Sequence, residues 1–293
     1  MIANIDDFVR YIPTARGTYF EDIEPFLQEA KMWAEDQLFG VGIVAEADNL
    51  EADEVLSRSM NSVICLKAYA SAIPFLDVVQ TKNGFAVVNS QNHAPASKER
   101  VERLLKHVKE RLYFHVDSLI DLVAGTPSLF SQWRLFPKFN ALTDLLYWSG
   151  NELTLYCADF LTQEWSTSNF AEGIEKQIIP YLELQRLRSR IKGIQNEEIA
   201  AFISRDYLDK LIENRRQGSL TSEEERMLER LKSIVALFLR DEKYKAEEQL
   251  KGIVNMMMAD LVAYPEYAAS EEYNIKIAER YQNQQEDPTY FFM

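Results

Sequence analysis

Glycine and proline are scarce in this sequence. Its 293 residues include 10 glycines and 9 prolines, and this glycine content is about half of the usual share. Because few residues interrupt regular backbone structure while Glu, Leu, Ala, Lys and Arg are abundant, the composition favours long helices over many-stranded sheets. Hydrophobic residues make up 47% of the chain, enough to bury a sizeable core, which excludes extensive disorder.

Cysteine is also rare. Cys65 and Cys157 lie on separate apolar stretches, which excludes a disulfide framework and fits a reducing compartment. The start, MIANIDDFVRYIP, carries acids where a signal peptide needs a basic flank and an apolar run. No stretch approaches the roughly 18 uncharged apolar residues of a membrane span. We therefore expect a protein that is made in the cytoplasm.

Common catalytic motifs are absent from the sequence. It contains no GxGxxG, GxxxxGK[ST], HExxH, GxSxG or CxxC. His107 and His115 would lie about 12 Å apart along one helix, too far for a single metal ion. No Glu-x-x-His pair occurs either, which excludes a helical di-iron site. We accordingly predict no catalytic residue, no cofactor and no metal site.

Acidic residues outnumber basic ones, and they do so unevenly. The net charge is −14. Residues 1–55 contain 13 acids against Arg10, Arg16 and Lys31, which gives 3 − 13 = −10. This balance argues against nucleic-acid binding, which needs clustered Lys and Arg. The acidic part either steers a basic protein partner or serves solubility alone.

Helical periodicity is clearest in the first half of the chain. Apolar residues recur with helical spacing from Ile23 to Leu38, with Asp22 as the expected N-cap and Gly40 as the stop. A second helix precedes Pro74, which should end or kink it. The longest predicted helix follows Ser97 as N-cap and runs from Lys98 to about Ala124, a rod of roughly 40 Å.

Between the second and the long helix lies a hairpin signal. Asn83-Gly84 separates two short apolar runs, and this dipeptide suits a tight turn in which both residues have positive φ. We therefore predict one small β-hairpin near residues 76–88, followed by a polar loop that contains His93. The expected fold class is mostly α, with two helical lobes of long amphipathic helices and this hairpin.

The second half shows further helical segments, predicted near 174–192, 196–217, 222–264 and 271–283. A capping box formed by Ser222 and Glu225 should open the third of them, which is either one rod or two segments divided around Gly252. The aromatic stretch 126–165 has no clear period. A pocket lined by its Trp133, Tyr147 and Trp148 would indicate a ligand-binding module.

Three pairs of segments recur in the same order and suggest a tandem duplication. The echoes are IEPFLQ (23–28) with IIPYLE (178–183), SKERVERLL (97–105) with SEEERMLERL (222–231), and DLVA (121–124) with DLVA (260–263). We predict an N-terminal helical domain over 1–165 that carries the hairpin, and a C-terminal helical domain over 166–293.

Several weaker candidates for chemistry remain. His93, beside Asn92, is able to act as a base in a small helical hydrolase or metal enzyme together with acids from the first helix, although a backbone-capping role suits a loop histidine equally. The remaining candidates are the acidic pairs Glu21/Glu24, Asp6/Asp7 and Asp48/Asp53 and the methionines of 255–258. Hard-cation binding or helix-end roles fit the acids, and a contact surface or plain packing fits the methionines.

Two runs carry a family resemblance. NGFAVVNSQNHAPASKERVERL (83–104) and YFEDIEPFLQEAKMWAEDQLFG (19–40) resemble a family of uncharacterised proteins encoded in prophages and phages of Bacteroides-type gut bacteria. The resemblance covers mostly residues 18–124. The family is similar to the small helical connectors between a viral capsid portal and tail.

That resemblance implies a non-catalytic adaptor, cytoplasmic or part of the virion. It would act through protein contacts with further copies of itself or with portal and tail proteins, and not through a membrane. The expected interaction surface is the hairpin and the loop after it: Gly84, Phe85, Val87, Val88 and His93. The alternatives stay the His93-centred enzyme and a ligand-binding module that uses segment 130–165.

Overall fold

A computed structural model describes most of the chain. The described residues are 2–15, 17–76, 78–81, 84–87, 97–169 and 178–279. They are mostly α-helical, which confirms the predicted mostly α class. The chain divides into two compact units: unit 1 is Met1–Thr143 with Tyr147–Arg186, and unit 2 is Asp144–Leu146 with Leu187–Met293.

Unit 1 is built from helices and one pair of short strands. Its elements are α1 (Ile5–Tyr11), a 3₁₀ turn (Pro13–Ala15), α2 (Phe20–Ala34), a π-helical turn (Glu35–Phe39), α3 (Gly40–Asn49), α4 (Val55–Leu76), β1 (Val78–Thr81), β2 (Gly84–Val87), α5 (Lys98–Gly125), α6 (Pro127–Trp133), α7 (Phe139–Leu142) and α8 (Gly150–Asn169). Helix α9 (Pro180–Gly193) begins in unit 1 and continues into unit 2.

The core of unit 1 lies where α2, α4 and α5 pack together. Helix α5 has the predicted bounds, and its buried apolar residues lie on one face of the helix. They are Val108, Leu112, Val116, Leu119, Ile120 and Val123. Helix α4 is buried on nearly all sides, because α1, α2, α3 and α5 all pack against it.

Two predicted helix ends differ from the structure. Helix α2 begins at Phe20, and its N-cap is Tyr19, which makes no side-chain hydrogen bond. Asp22 is therefore in the first turn, where a carboxylate still favours the positive end of the helix dipole. Pro74 does not end α4, which continues to Leu76.

The strands β1 and β2 pair in antiparallel orientation between α4 and α5. Val78 lies opposite Val87, and Thr81 lies opposite Gly84. Lys82 and Asn83, which separate the two strands, lie outside the described residues, as does residue 88.

Unit 2 contains a further series of helices. After α9 come a π-helical turn (Ile194–Ile199), α10 (Ala200–Ile203), α11 (Arg205–Gln217), α12 (Ser222–Leu239), α13 (Lys243–Ala259), α14 (Pro265–Ala268) and α15 (Glu271–Glu279).

Two sequence predictions for unit 2 are corrected by this geometry. The capping box is formed by Thr221 and Glu224, one residue earlier than predicted: the Thr221 hydroxyl accepts from the Glu224 N–H at 3.2 Å, and the Glu224 carboxylate accepts from the Thr221 N–H at 2.9 Å. The break between α12 and α13 lies at Asp241, whose φ is 59°. Gly252 is inside the uninterrupted helix α13.

The two units share an order of elements. In unit 1, α2 leads through a π-helical turn to Gly40 (φ 80°), then to α3, the packed pair α4–α5, and α6, which begins with Pro127. In unit 2, α9 leads through a π-helical turn and α10 to Ser204 (φ 74°), then to α11, the packed pair α12–α13, and α14, which begins with Pro265. In each unit the short Pro-initiated helix packs on the helix after the positive-φ residue.

This shared order favours a tandem duplication, which stays a prediction. The third echo falls in different structures: 121–124 lie within α5, whereas 260–263 follow the end of α13. The predicted domain boundary at 165/166 also differs from the change of unit at 186/187. The reason is that the start of α9 packs with unit 1, where the Tyr181 ring stacks on Tyr113 of α5 with centroids 5.4 Å apart.

Candidate interaction surface

The connection between α4 and α5 is the clearest difference between the units. Residues 77–97 join these helices and include β1 and β2, whereas Arg240–Glu242 alone joins α12 to α13. Three residues are therefore enough to join two packed helices of this kind. The long connection in unit 1 is more than the helix pair needs.

The backbone edge of β2 follows from the strand register. Two residues separate Thr81 from Gly84 in the sequence, and in an antiparallel ladder with this spacing the pair nearest the connection is a hydrogen-bonded pair. Hydrogen-bonded and non-hydrogen-bonded pairs alternate along an antiparallel ladder. The N–H groups of Phe85 and Val87 consequently point away from β1, where a further strand is able to pair with them.

The connection also carries almost no charge. Asp77 and Lys82 are its only charged residues, and their charges cancel, in a chain that is 27% charged and has a net charge of −14. Repulsion between like-charged copies is therefore low at this segment.

The predicted interaction residues fall partly within the described structure. Gly84, Phe85 and Val87 lie on β2. Val88 and His93 lie outside the described residues. The structure therefore places the first three on one strand and gives no position for the other two.

A groove of about 480 Å³ runs beside α5 in unit 1. Leu105 and Tyr113 of α5, with Ile179 and Leu182, supply its apolar lining. Lys106 and Glu110 also line it, and their charged groups are 3.8 Å apart, so they partly neutralise each other.

The remaining histidines do not converge. His107 is exposed on α5. His115 is half-buried, and its pKa is lowered by burial and by the positive charge of Arg111. Its ring contacts Phe114 edge-on, with centroids 5.6 Å apart. His115 therefore stays neutral and packs as an aromatic ring at physiological pH.

Two of the three acidic pairs include a carboxylate with a local partner. Asp7 accepts from the Ala3 N–H at 3.2 Å and lies with Asp6 in the first turn of α1. Asp48 forms an ion pair with Lys31 at 2.5 Å. Within the described ranges, no three His, Cys, Asp or Glu side chains converge as metal ligands.

Both cysteines are buried, and neither is part of a disulfide. Burial raises the pKa of the Cys65 thiol far above its ordinary value, and the charge of Asp7 raises it further. A buried thiol with a raised pKa is a poor nucleophile. Cys65 therefore acts as a small apolar residue in the core.

The aromatic segment forms part of the core. Trp133, Tyr147 and Trp148 are 2%, 0% and 9% exposed. Trp133 packs edge-on against Trp148 and Phe139, and its Nε1 donates to the carbonyl of Leu38 in the π-helical turn at 2.8 Å. These rings fill the space that a ligand pocket would need.

The methionine run divides between core and surface. Met257 is fully buried, and Met256 is half-buried with its sulfur accepting from Arg230 at 3.5 Å. Three successive positions of a helix point in different directions, which predicts at least one of these methionines in the core.

A buried carboxylate on α5 was missed by sequence reasoning. Asp117 is 1% exposed, and its Oδ1 accepts from the N–H of Gly150, the first residue of α8, at 2.7 Å. Its Oδ2 has no hydrogen-bond partner among the described residues. Burial is the main cause that raises the pKa of Asp117 to about 6. The charges of Asp121 and Glu152 raise this pKa as well.

Three helices meet at this joint. A Cβ on Gly150 would lie 2.0 Å from the carbonyl carbon of Pro180 and 2.4 Å from the nitrogen of Tyr181, at the start of α9. Glycine is therefore the residue that lets α8 and α9 approach at the point where Asp117 caps α8. The signal in the sequence is the position of Asp117 directly after the buried Val116 of the α5 stripe.

The fold thus defines a mostly α protein of two units with related element order. Residues 9–140, all within unit 1 and less than half of the chain, match the model of a family described as a family of unknown function (DUF6712). The chain matches no curated protein and no solved structure. None of the helices in the described ranges is long and apolar enough to cross a membrane.

Proposed function

We propose that this protein is a non-catalytic structural adaptor that works through protein–protein contacts made by residues 77–97. The observation that carries the proposal is the difference between the two helix pairs. The α12–α13 pair closes with Arg240–Glu242, whereas the α4–α5 pair carries a long connection with two strands. A segment that the helix pair does not need for closure is free to serve binding.

The geometry of β2 supports strand pairing as the mode of contact. Two strands alone are only marginally stable in water, and a third strand adds stability. The outward N–H groups of Phe85 and Val87 provide the donors for such a strand. The near absence of charge in 78–97 suits a second copy of the chain as the neighbour.

The particular form of adaptor is a component of a phage or prophage virion, similar to a head–tail connector. The resemblance of residues 18–124 supports this form, for which the expected location is the cytoplasm or the virion. The match to residues 9–140 includes the whole connection between α4 and α5.

Sedimentation at rising protein concentration tests the proposal. The wild-type mass should rise above the 34.0 kDa of one chain. Val87→Pro removes one outward N–H without removing a β1–β2 hydrogen bond, so it should hold the protein at 34.0 kDa. Val87→Thr keeps the N–H and the branched shape, and should associate like the wild type.

Two results would contradict the proposal. One is a wild-type mass that stays at 34.0 kDa over the whole concentration range. The other is association of Val87→Pro that equals that of Val87→Thr. Circular dichroism of all three proteins checks that the helices are intact.

A further inference from the structure

Unit 2 contains a short segment from far earlier in the sequence. The chain leaves unit 1 after Thr143, contributes Asp144–Leu146 to unit 2, and returns to unit 1 at Tyr147. Leu145 and Leu146 are each 1% exposed. We call Asp144–Leu146 the strap.

One side chain binds the backbone of the strap at two points. The Oε1 of Gln195 accepts from the Leu146 N–H at 2.9 Å, and its Nε2 donates to the Asp144 carbonyl at 3.2 Å. Gln195 is 2% exposed and lies in the π-helical turn Ile194–Ile199. Arg215 of α11 donates to the Leu146 carbonyl. These contacts satisfy backbone N–H and C=O groups of the strap, as a neighbouring strand would.

Two cations of α9 hold the side chain at the start of the strap. The Asp144 carboxylate accepts from Arg188 and, at 2.9 Å, from Lys192. Arg188 and Lys192 are one helical turn apart, so they approach the carboxylate from the same face. The strap is therefore held by the ion pairs of Asp144, by the hydrogen bonds of Gln195 to its backbone, and by the burial of its two leucines.

We infer that the strap completes the fold of unit 2, so that the chain after residue 186 is not an independent domain. Without the strap, the side chain of Gln195 would lose these two hydrogen bonds, and the space that Leu145 and Leu146 fill would be left empty. The linkage makes the stability of unit 2 depend on residues that belong to the N-terminal half of the sequence. This dependence differs from the predicted division of the chain into two domains at 165/166.

Hydrogen exchange on the full-length protein tests this inference. Gln195→Ala removes both backbone contacts and should accelerate amide exchange in α9 and α11 by at least about tenfold. Exchange in α2 and α4 of unit 1 should stay unchanged. Gln217→Ala removes an exposed amide that donates to Glu213 of the same helix at 2.8 Å, so it is the matched control and should leave all four helices unchanged.

A second variant keeps the test decisive if Gln195→Ala does not fold. Asp144→Asn retains the backbone contacts and removes the charge that Arg188 and Lys192 hold, so it should accelerate exchange in α9 to a smaller extent. The inference is overturned if neither variant accelerates exchange in α9 and α11, or if α2 and α4 accelerate equally.

Discussion

The Oδ1 of Asp117 accepts a hydrogen bond from the backbone N–H of Gly150 at 2.7 Å. A carboxylate in the middle of α5 thus caps α8, 33 residues later in the chain. The negative charge faces the positive end of the α8 dipole. Burial nevertheless disfavours the ionised form, and this effect is the larger one, because the pKa of Asp117 is raised to about 6.

The raised pKa of Asp117 predicts a pH dependence of stability. In the unfolded chain, Asp117 titrates near its ordinary value of 3.8. Between pH 3.8 and about 6, Asp117 therefore binds more protons in the folded protein than in the unfolded chain, so its contribution to the free energy of unfolding falls as pH rises through this window. Asp117→Asn should flatten this fall and raise the free energy of unfolding at neutral pH by up to about 3 kcal/mol.

Urea unfolding at a series of pH values measures this effect. Glu102→Gln is the matched control, since Glu102 is an exposed carboxylate of the same helix, about four turns before Asp117. This control keeps Asp117 and should keep the slope. If the free energy of unfolding depends on pH equally in Asp117→Asn and in the wild type, the raised pKa of Asp117 is contradicted.

Gly150 predicts a large steric effect from one methyl group. Because its Cβ would meet the backbone of Pro180 at 2.0 Å, Gly150→Ala should lower the free energy of unfolding by about 3 kcal/mol or more. Gly252→Ala is the matched control, with nothing within 4 Å of the new methyl group on an exposed helix face. It should raise the free energy of unfolding by about 0.8 kcal/mol, since alanine favours helix. Thermal unfolding of both variants measures these two changes. Changes of the same sign in the free energy of unfolding would contradict the close approach of α8 and α9.

The capping box of α12 predicts unequal effects at two neighbouring residues. Thr221→Ala removes the hydroxyl that accepts from the Glu224 N–H and should cost about 1 kcal/mol. Ser222 is the first residue inside the helix, so Ser222→Ala should be nearly neutral. Urea unfolding compares the two, and a larger loss from Ser222→Ala would restore the capping box predicted from sequence.

Local signals in the sequence were sufficient for the long helices. Ser97, the apolar steps up to Val123 and Gly125 defined α5 at both ends, because each signal depends on residues within one or two turns. The break before α13 was misplaced for a related reason. Gly252 is the more permissive residue in isolation, but the packed ends of α12 and α13 require the turn at Asp241, whose φ is positive.

The joint at Asp117 and the strap could not be predicted in this way. Both depend on partners that are distant in sequence: Gly150 for Asp117, and Gln195 with Arg188 for Asp144–Leu146. Periodicity reports which face of a helix is buried and does not report what lies against it. The local composition of Thr143–Tyr147 likewise does not indicate that the chain passes from unit 1 to unit 2 and back there.

We propose that β2 docks a strand of a second copy through its outward N–H groups. Hydrogen exchange of the Phe85 and Val87 amides, measured by NMR at rising protein concentration, is the sharpest test of this docking. We expect exchange of these two amides to slow as concentration rises, while exposed amides of α13 keep their rates. Exchange rates at Phe85 and Val87 that do not change with concentration would contradict it.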